Sequence, residues 1–99
     1  MKGQKAKNRV ANSFRRAGAN VEQSPGSRGS ADMIANWPGK EWMVQVKYSS
    51  SGKPAGLSTI EQNNLISRAD KNSATPVLAQ VTPNKIEYFS AKTKRELKP

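Results

Sequence analysis

The sequence predicts an α/β domain in which a central mixed β-sheet is flanked by helices, in the order α-β-β-β-α-β-β. Three observations predict it. Ala6, Val10, Phe14 and Ala17 recur at spacings of four, four and three, which is the period of one helical face. Trp42-Met43-Val44-Gln45-Val46-Lys47 alternates, so Gln45 and Lys47 share a face with Met43 while Val44 and Val46 face the other way. Ser58 and Glu61 have the spacing of a capping box, which satisfies the first free amides of a second helix.

The first helix is expected from about Gln4 to Ala17, and Gly18 is placed to end it. Arg9, Arg15 and Arg16 then point away from the apolar stripe, toward solvent or phosphate. Ala19 to Gln23 reads as a short strand. The Pro, Gly and Ser content of Ser24-Pro25-Gly26-Ser27-Arg28-Gly29-Ser30 demands a loop. Asp32 to Ala35 is a second short strand and Trp37 to Lys40 a turn, so Glu41 to Tyr48 returns as the next strand of a hairpin. A polar loop from Ser49 to Gly56 leads into the capped helix, which runs to about Lys71. Pro76 to Val81 is an apolar strand, Thr82 to Lys85 a turn, and Ile86 to Phe89 pairs back as an edge strand. Residues 1–91 make a single domain, and Lys92 to Pro99 is a charged tail expected to fray.

A chain of 99 residues suits one domain, and at this size folding buries only about two-thirds of the surface that the unfolded chain exposes. Its hydrophobic fraction of 34% and mean hydropathy of -0.80 are low for a lone core. A homodimer that completes the apolar surface is therefore expected. Seventeen Lys and Arg oppose seven Asp and Glu, for a net charge of +10. That surplus attracts polyanions, and nucleic acid is the leading partner. A membrane surface is the rival, but no stretch approaches the roughly 20 apolar residues of a span. The basic start, Met1 to Lys5, lacks the apolar segment of a secretory signal, so an intracellular location, cytoplasmic or nucleoid-associated, is expected. Lys2, Lys5, Lys7, Arg9, Arg15, Arg16 and Arg28 cluster near the first helix and the serine-rich loop, where contact with phosphate is expected. Ser24, Ser27 and Ser30 either donate to phosphate or satisfy the loop backbone. Trp37 and Trp42 read as packing or dimer contacts before base-stacking platforms.

The chain has no Cys and no His, which excludes thiol nucleophiles, histidine bases, disulfides and ordinary zinc sites. Carboxylate, amide, lysine, serine and tyrosine remain. Cleaving a phosphodiester needs a cation that polarises the phosphoryl group and activates water, and magnesium takes oxygen ligands. Asp32 could supply a carboxylate, with the Gln45 side chain and the Val46 carbonyl as part of the shell. Lys47 could then orient water or stabilise phosphate charge. A neutral amide where a second carboxylate would sit weakens the cage, so magnesium or manganese would be held weakly. Simpler roles compete: Asp32 could bind a neighbouring backbone amide, Gln45 and Lys47 could be the wet face of an amphipathic strand, and Glu61 could be a cap alone.

The order of these elements resembles the PD-(D/E)XK nuclease fold, and within it the archaeal-type Holliday junction resolvases. Lys2-Gly3 leading into the helix, Ser24-Pro25-Gly26-Ser27, Asp32-Met33-Ile34-Ala35, Val44-Gln45-Val46-Lys47 and Pro76-Val77-Leu78-Ala79 carry the likeness, over roughly Lys2 to Phe89. It implies a dimeric, magnesium-dependent endodeoxyribonuclease of recombination and repair that binds a four-way DNA junction and nicks two strands symmetrically. Asp32 matches the metal-binding aspartate of these resolvases and Lys47 their catalytic lysine. Two carboxylates are missing: Gln45 stands where resolvases carry a glutamate, and Lys7 stands near the position of another in the first helix. Three accounts stay open: an active variant, as in Mrr-like relatives with Q-x-K; a carboxylate relocated to Glu61 or Glu22; or a lapsed site that leaves a DNA-binding protein. A small RNA-binding protein would explain the charge but not the placement of the acid and Q-x-K.

Overall fold

The computed structural model describes residues 2–23, 31–51 and 56–99, with side chains from Gln4 onward. Its elements run α1 (Lys2–Arg16), β1 (Asn20–Gln23), β2 (Met33–Trp37), β3 (Lys40–Tyr48), α2 (Thr59–Lys71), β4 (Thr75–Thr82), β5 (Lys85–Ser90) and β6 (Glu96–Leu97). Among the described residues these strands form one sheet in the order β1-β2-β3-β4-β5-β6. Only β3 and β4 run parallel, because α2 carries the chain back across the sheet between them.

Each helix covers one face. Ala6, Val10, Ala11 and Phe14 of α1 pack on Met33, Ala35, Trp42, Val44, Val77, Ala79, Val81 and Tyr88. Leu65 and Ala69 of α2 pack on Ala31, Met43 and Ala91, with Ile34 partly buried beside them. The split follows from strand alternation, which sends Met43 one way and Val44 the other. Phe14 sits centrally, with Trp37 and Trp42 edge-on to its ring at 5.7 Å each and Tyr88 at 5.0 Å. Trp42 is buried, and the Trp37 indole donates to the Ala17 carbonyl at 3.0 Å. Both tryptophans therefore serve the core.

α1 ends as expected at Gly18, whose φ of 94° is easy only for glycine. Gly18 N–H bonds the Arg15 carbonyl and Ala19 N–H the Phe14 carbonyl, each at 3.0 Å, a Schellman closure that satisfies the last free carbonyls. The β2–β3 hairpin turns at Pro38-Gly39, with Gly39 at φ 83°. Lys40 lies over both tryptophan rings, 4.5 Å from Trp37 and 5.0 Å from Trp42.

Two expectations need correction. Lys92 to Pro99 does not simply fray, since Glu96–Leu97 pairs with Tyr88 and Phe89 as β6. Ser90 organises this turn: its hydroxyl accepts the amides of Lys92 and Thr93, and its own amide bonds the Arg95 carbonyl. In consequence β5 is an inner strand and not the edge. No helix among the described residues is long and apolar enough to cross a membrane.

Candidate active site and nucleic-acid interface

Asp32 stands one residue before β2, where the hairpin pairing ends. Its amide bonds the Val44 carbonyl at 2.7 Å, and its Oδ2 accepts the Val46 N–H at 2.7 Å. The carboxylate thus takes the place of a strand carbonyl for an amide that β2 is too short to reach. Its other oxygen, Oδ1, lies 3.3 Å from the Lys7 ammonium, with the Lys7 side chain 16% and the Asp32 side chain 7% exposed. A buried carboxylate is tolerable when it is hydrogen-bonded and paired in this way.

Lys47 turns toward α2. Its Nζ is 2.6 Å from Glu61 Oε2, while Glu61 Oε1 accepts the Ser58 N–H at 3.0 Å and the Ser58 hydroxyl accepts the Glu61 N–H at 3.1 Å. Glu61 therefore caps α2 and binds Lys47 at once. The hydrogen bond from Lys47, followed by that from the Ser58 amide, holds its carboxyl below the usual glutamate value. Gln45 is half-buried and shares the Lys47 face by alternation.

Asp32 is thus fixed to the amide between Gln45 and Lys47, but its ion pair reaches α1 while that of Lys47 reaches α2. Among the described residues no direct bond joins Asp32 to Lys47. Nor does any group of three or more Asp, Glu, His or Cys converge on a possible cation position. Among the described residues, the donor set does not fit a resident magnesium or manganese ion. Asp32 spends its two oxygens on an ammonium and an amide, Glu61 does likewise, and these four charges sum to zero.

The basic candidates divide in use. Lys5, Arg15 and Arg16 are exposed on α1, with Arg15 donating to Asn12 Oδ1 at 3.2 Å. Arg9 is half-buried and donates to the Thr82 carbonyl at 2.9 Å, bracing α1 against the end of β4. Lys7 pairs with Asp32. Ser24, Ser27, Arg28, Ser30 and the Lys2 side chain lie outside the described residues. Sequence reasoning missed an amide cluster beside α1, in which Gln4 Nε2 bonds Asn8 Oδ1 and Gln23 Oε1, each at 3.1 Å, and Gln23 Nε2 bonds Asn8 Oδ1 at 3.3 Å. Its signal was the i, i+4 spacing of Gln4 and Asn8.

Among solved structures, the chain is similar to Hjc of Archaeoglobus fulgidus, a Holliday junction resolvase from an archaeal hyperthermophile, with a TM-score of 0.81 and 20% sequence identity. The match covers 91% of this chain and 73% of that one. The chain has the fold of that resolvase. The six-stranded sheet and its strand order are consistent with a restriction-endonuclease-like fold. No family model matches the chain, and no curated protein matches it.

Proposed function

We propose that this protein is Holliday junction resolvase-like and binds branched DNA, in the manner of a four-way junction, as a homodimer. The observation that carries the reading is the tie between Asp32 and the Val46 amide on a resolvase fold, which places the acid beside the Q-x-K strand. The net charge of +10 and the exposed Lys5, Arg15 and Arg16 on one helix support contact with phosphate. An open groove in which Leu57, Leu78, Phe89 and Ala91 alternate with Gln80, Ser90 and Lys94, with Ile60 74% exposed nearby in sequence, supports a second copy as the partner.

Binding without cleavage is the activity this geometry favours, since the acid and the lysine are each neutralised within the chain. A second reading, a magnesium- or manganese-dependent endodeoxyribonuclease using Asp32, Gln45, the Val46 carbonyl and Lys47, draws on one observation: both Asp32 and Lys47 remain, on adjoining segments of the hairpin. Labelled four-way junction, linear duplex and RNA, incubated with the protein with and without magnesium or manganese, separate the readings. Retarded junction without nicks is the expected result. Nicks lost in Asp32→Ala and Lys47→Ala would establish the nuclease. Equal affinity for all three nucleic acids would end the branched-DNA proposal.

A further inference from the structure

We infer that Lys7 is the resident cation of the Asp32 site, a tethered ammonium standing in the place of a divalent ion, and that residue 7 decides whether this site can hold a metal. The inference rests on the geometry at Asp32 and holds whether or not the protein binds DNA.

Three features carry it. The Asp32 carboxylate is buried and fixed by two backbone bonds, its own amide to the Val44 carbonyl and the Val46 N–H to its Oδ2, so its position does not depend on a ligand. Its free valence, Oδ1, is met by Lys7 at 3.3 Å from a side chain that is itself largely buried. Lys7 comes from the core-facing side of α1, one residue after Ala6 and three before Val10, both fully buried, so the helix aims residue 7 inward. A divalent ion seeking Asp32 must displace an ammonium that cannot diffuse away. It gains a single negative charge and is repelled by the lysine it displaces.

A glutamate at position 7 would reverse these terms. Its carboxylate is shorter than a lysine by about one bond, leaving beside Oδ1 a gap that an ion with oxygen ligands at about 2.0–2.1 Å can bridge. Two carboxylates from two elements would then face each other, and like charges that close destabilise the apo protein until a cation separates them.

The experiment is thermal unfolding of wild type, Lys7→Glu and the double variant Lys7→Glu/Asp32→Asn, in chelator and in millimolar manganese, with manganese binding measured by calorimetry. Wild type is expected to melt at one temperature in both solutions. Lys7→Glu is expected to melt lower in chelator, to recover with manganese, and to bind manganese tighter than wild type by on the order of tenfold or more, because ligand charge count sets affinity in such sites. The double variant should lose that gain. If Lys7→Glu does not fold in chelator, wild type alone still tests the point: manganese should leave the NMR signal of the Val46 amide unbroadened. Broadening of that signal in wild type, or manganese affinity no greater in Lys7→Glu than in wild type, would overturn the inference.

Discussion

Replacing Lys7 by methionine keeps an unbranched side chain of similar length but removes the charge from a pair in which Asp32 stays 7% exposed. At 3.3 Å the gross attraction is about 5 kcal/mol for an effective dielectric near 20. Desolvation of both groups cancels part of it. Deleting one partner of a buried pair commonly costs about 3–5 kcal/mol, because the other charge is left uncompensated. Asp32 keeps the Val46 N–H and Lys7 is 16% exposed, which places the expected loss at the lower end, about 3 kcal/mol. For a domain near this size each kcal/mol moves the midpoint by about 4–8 °C, so Tm should fall by at least about 12 °C. Urea unfolding of wild type, Lys7→Met, Asp32→Asn and the double variant gives the coupling energy directly, with an unchanged denaturant slope as the sign that the unfolded state is the same. Lys98→Met is the control, because Lys98 and Glu96 form a pair with side chains 83% and 47% exposed, worth about 0–1 kcal/mol. A loss at Lys7 no larger than at Lys98, or a coupling near zero, would refute the buried pair and with it the account of Asp32.

Three further outcomes follow from local geometry. Gly18→Ala should destabilise by about 1 kcal/mol in chemical denaturation; a Cβ at this position meets nothing within 4 Å, so the effect is that of φ 94° alone. Tyr88→Phe should be neutral or stabilising by up to about 1 kcal/mol, since the hydroxyl is buried without a hydrogen bond of good geometry among the described residues. Burial raises the Tyr88 pKa above its ordinary 10.0, so wild-type stability should fall as pH climbs past that unfolded value, where only the unfolded phenol ionises, and Tyr88→Phe should flatten the alkaline limb. Glu61→Gln retains an oxygen for the Ser58 amide but loses the ion pair with Lys47. Because the Glu61 carboxyl is depressed below 4.5 when folded, its contribution is present above that pH and vanishes as pH falls through the folded value; the variant should lose less than about 1 kcal/mol at neutral pH and show a shallower acid limb.

Most of the scaffold was legible because local signals and packing agree. The α1 spacing, the Gly18 stop, the hairpin turn and the Ser58–Glu61 box each correspond to one physical event, and each is realised. β6 was not legible, because two residues carry no period and the strand depends on Ser90 folding the preceding turn. At the site, Asp32 was found for its acidity, but its bond to Val46 depends on where β2 begins, at Met33, one residue later than the sequence suggested. Lys7 was read as one more phosphate contact in a basic helix. Its spacing of three from Val10 and seven from Phe14 places it at the edge of the buried stripe, and a lysine there calls for a buried acid. Charge counting hid it, since seventeen cations make any one of them look like surplus.

The presence of a buried acid at position 32 needs no catalytic reason once its bonds are known. An amide on β3 that faces a shortened β2 must find an acceptor, and leaving it unmet inside the sheet costs about 1–3 kcal/mol. A carboxylate meets that demand and creates another, a buried negative charge, which a lysine from the opposing helix can cancel as completely as a metal would. Asp32→Asn separates structure from chemistry, because the amide oxygen can still accept from Val46 while the charge is gone. If Lys7→Met/Asp32→Asn regains most of the stability lost by Lys7→Met, the acid and the lysine are there for each other; if the double variant stays as unstable as Lys7→Met, the loss at Lys7 comes from a contact other than Asp32.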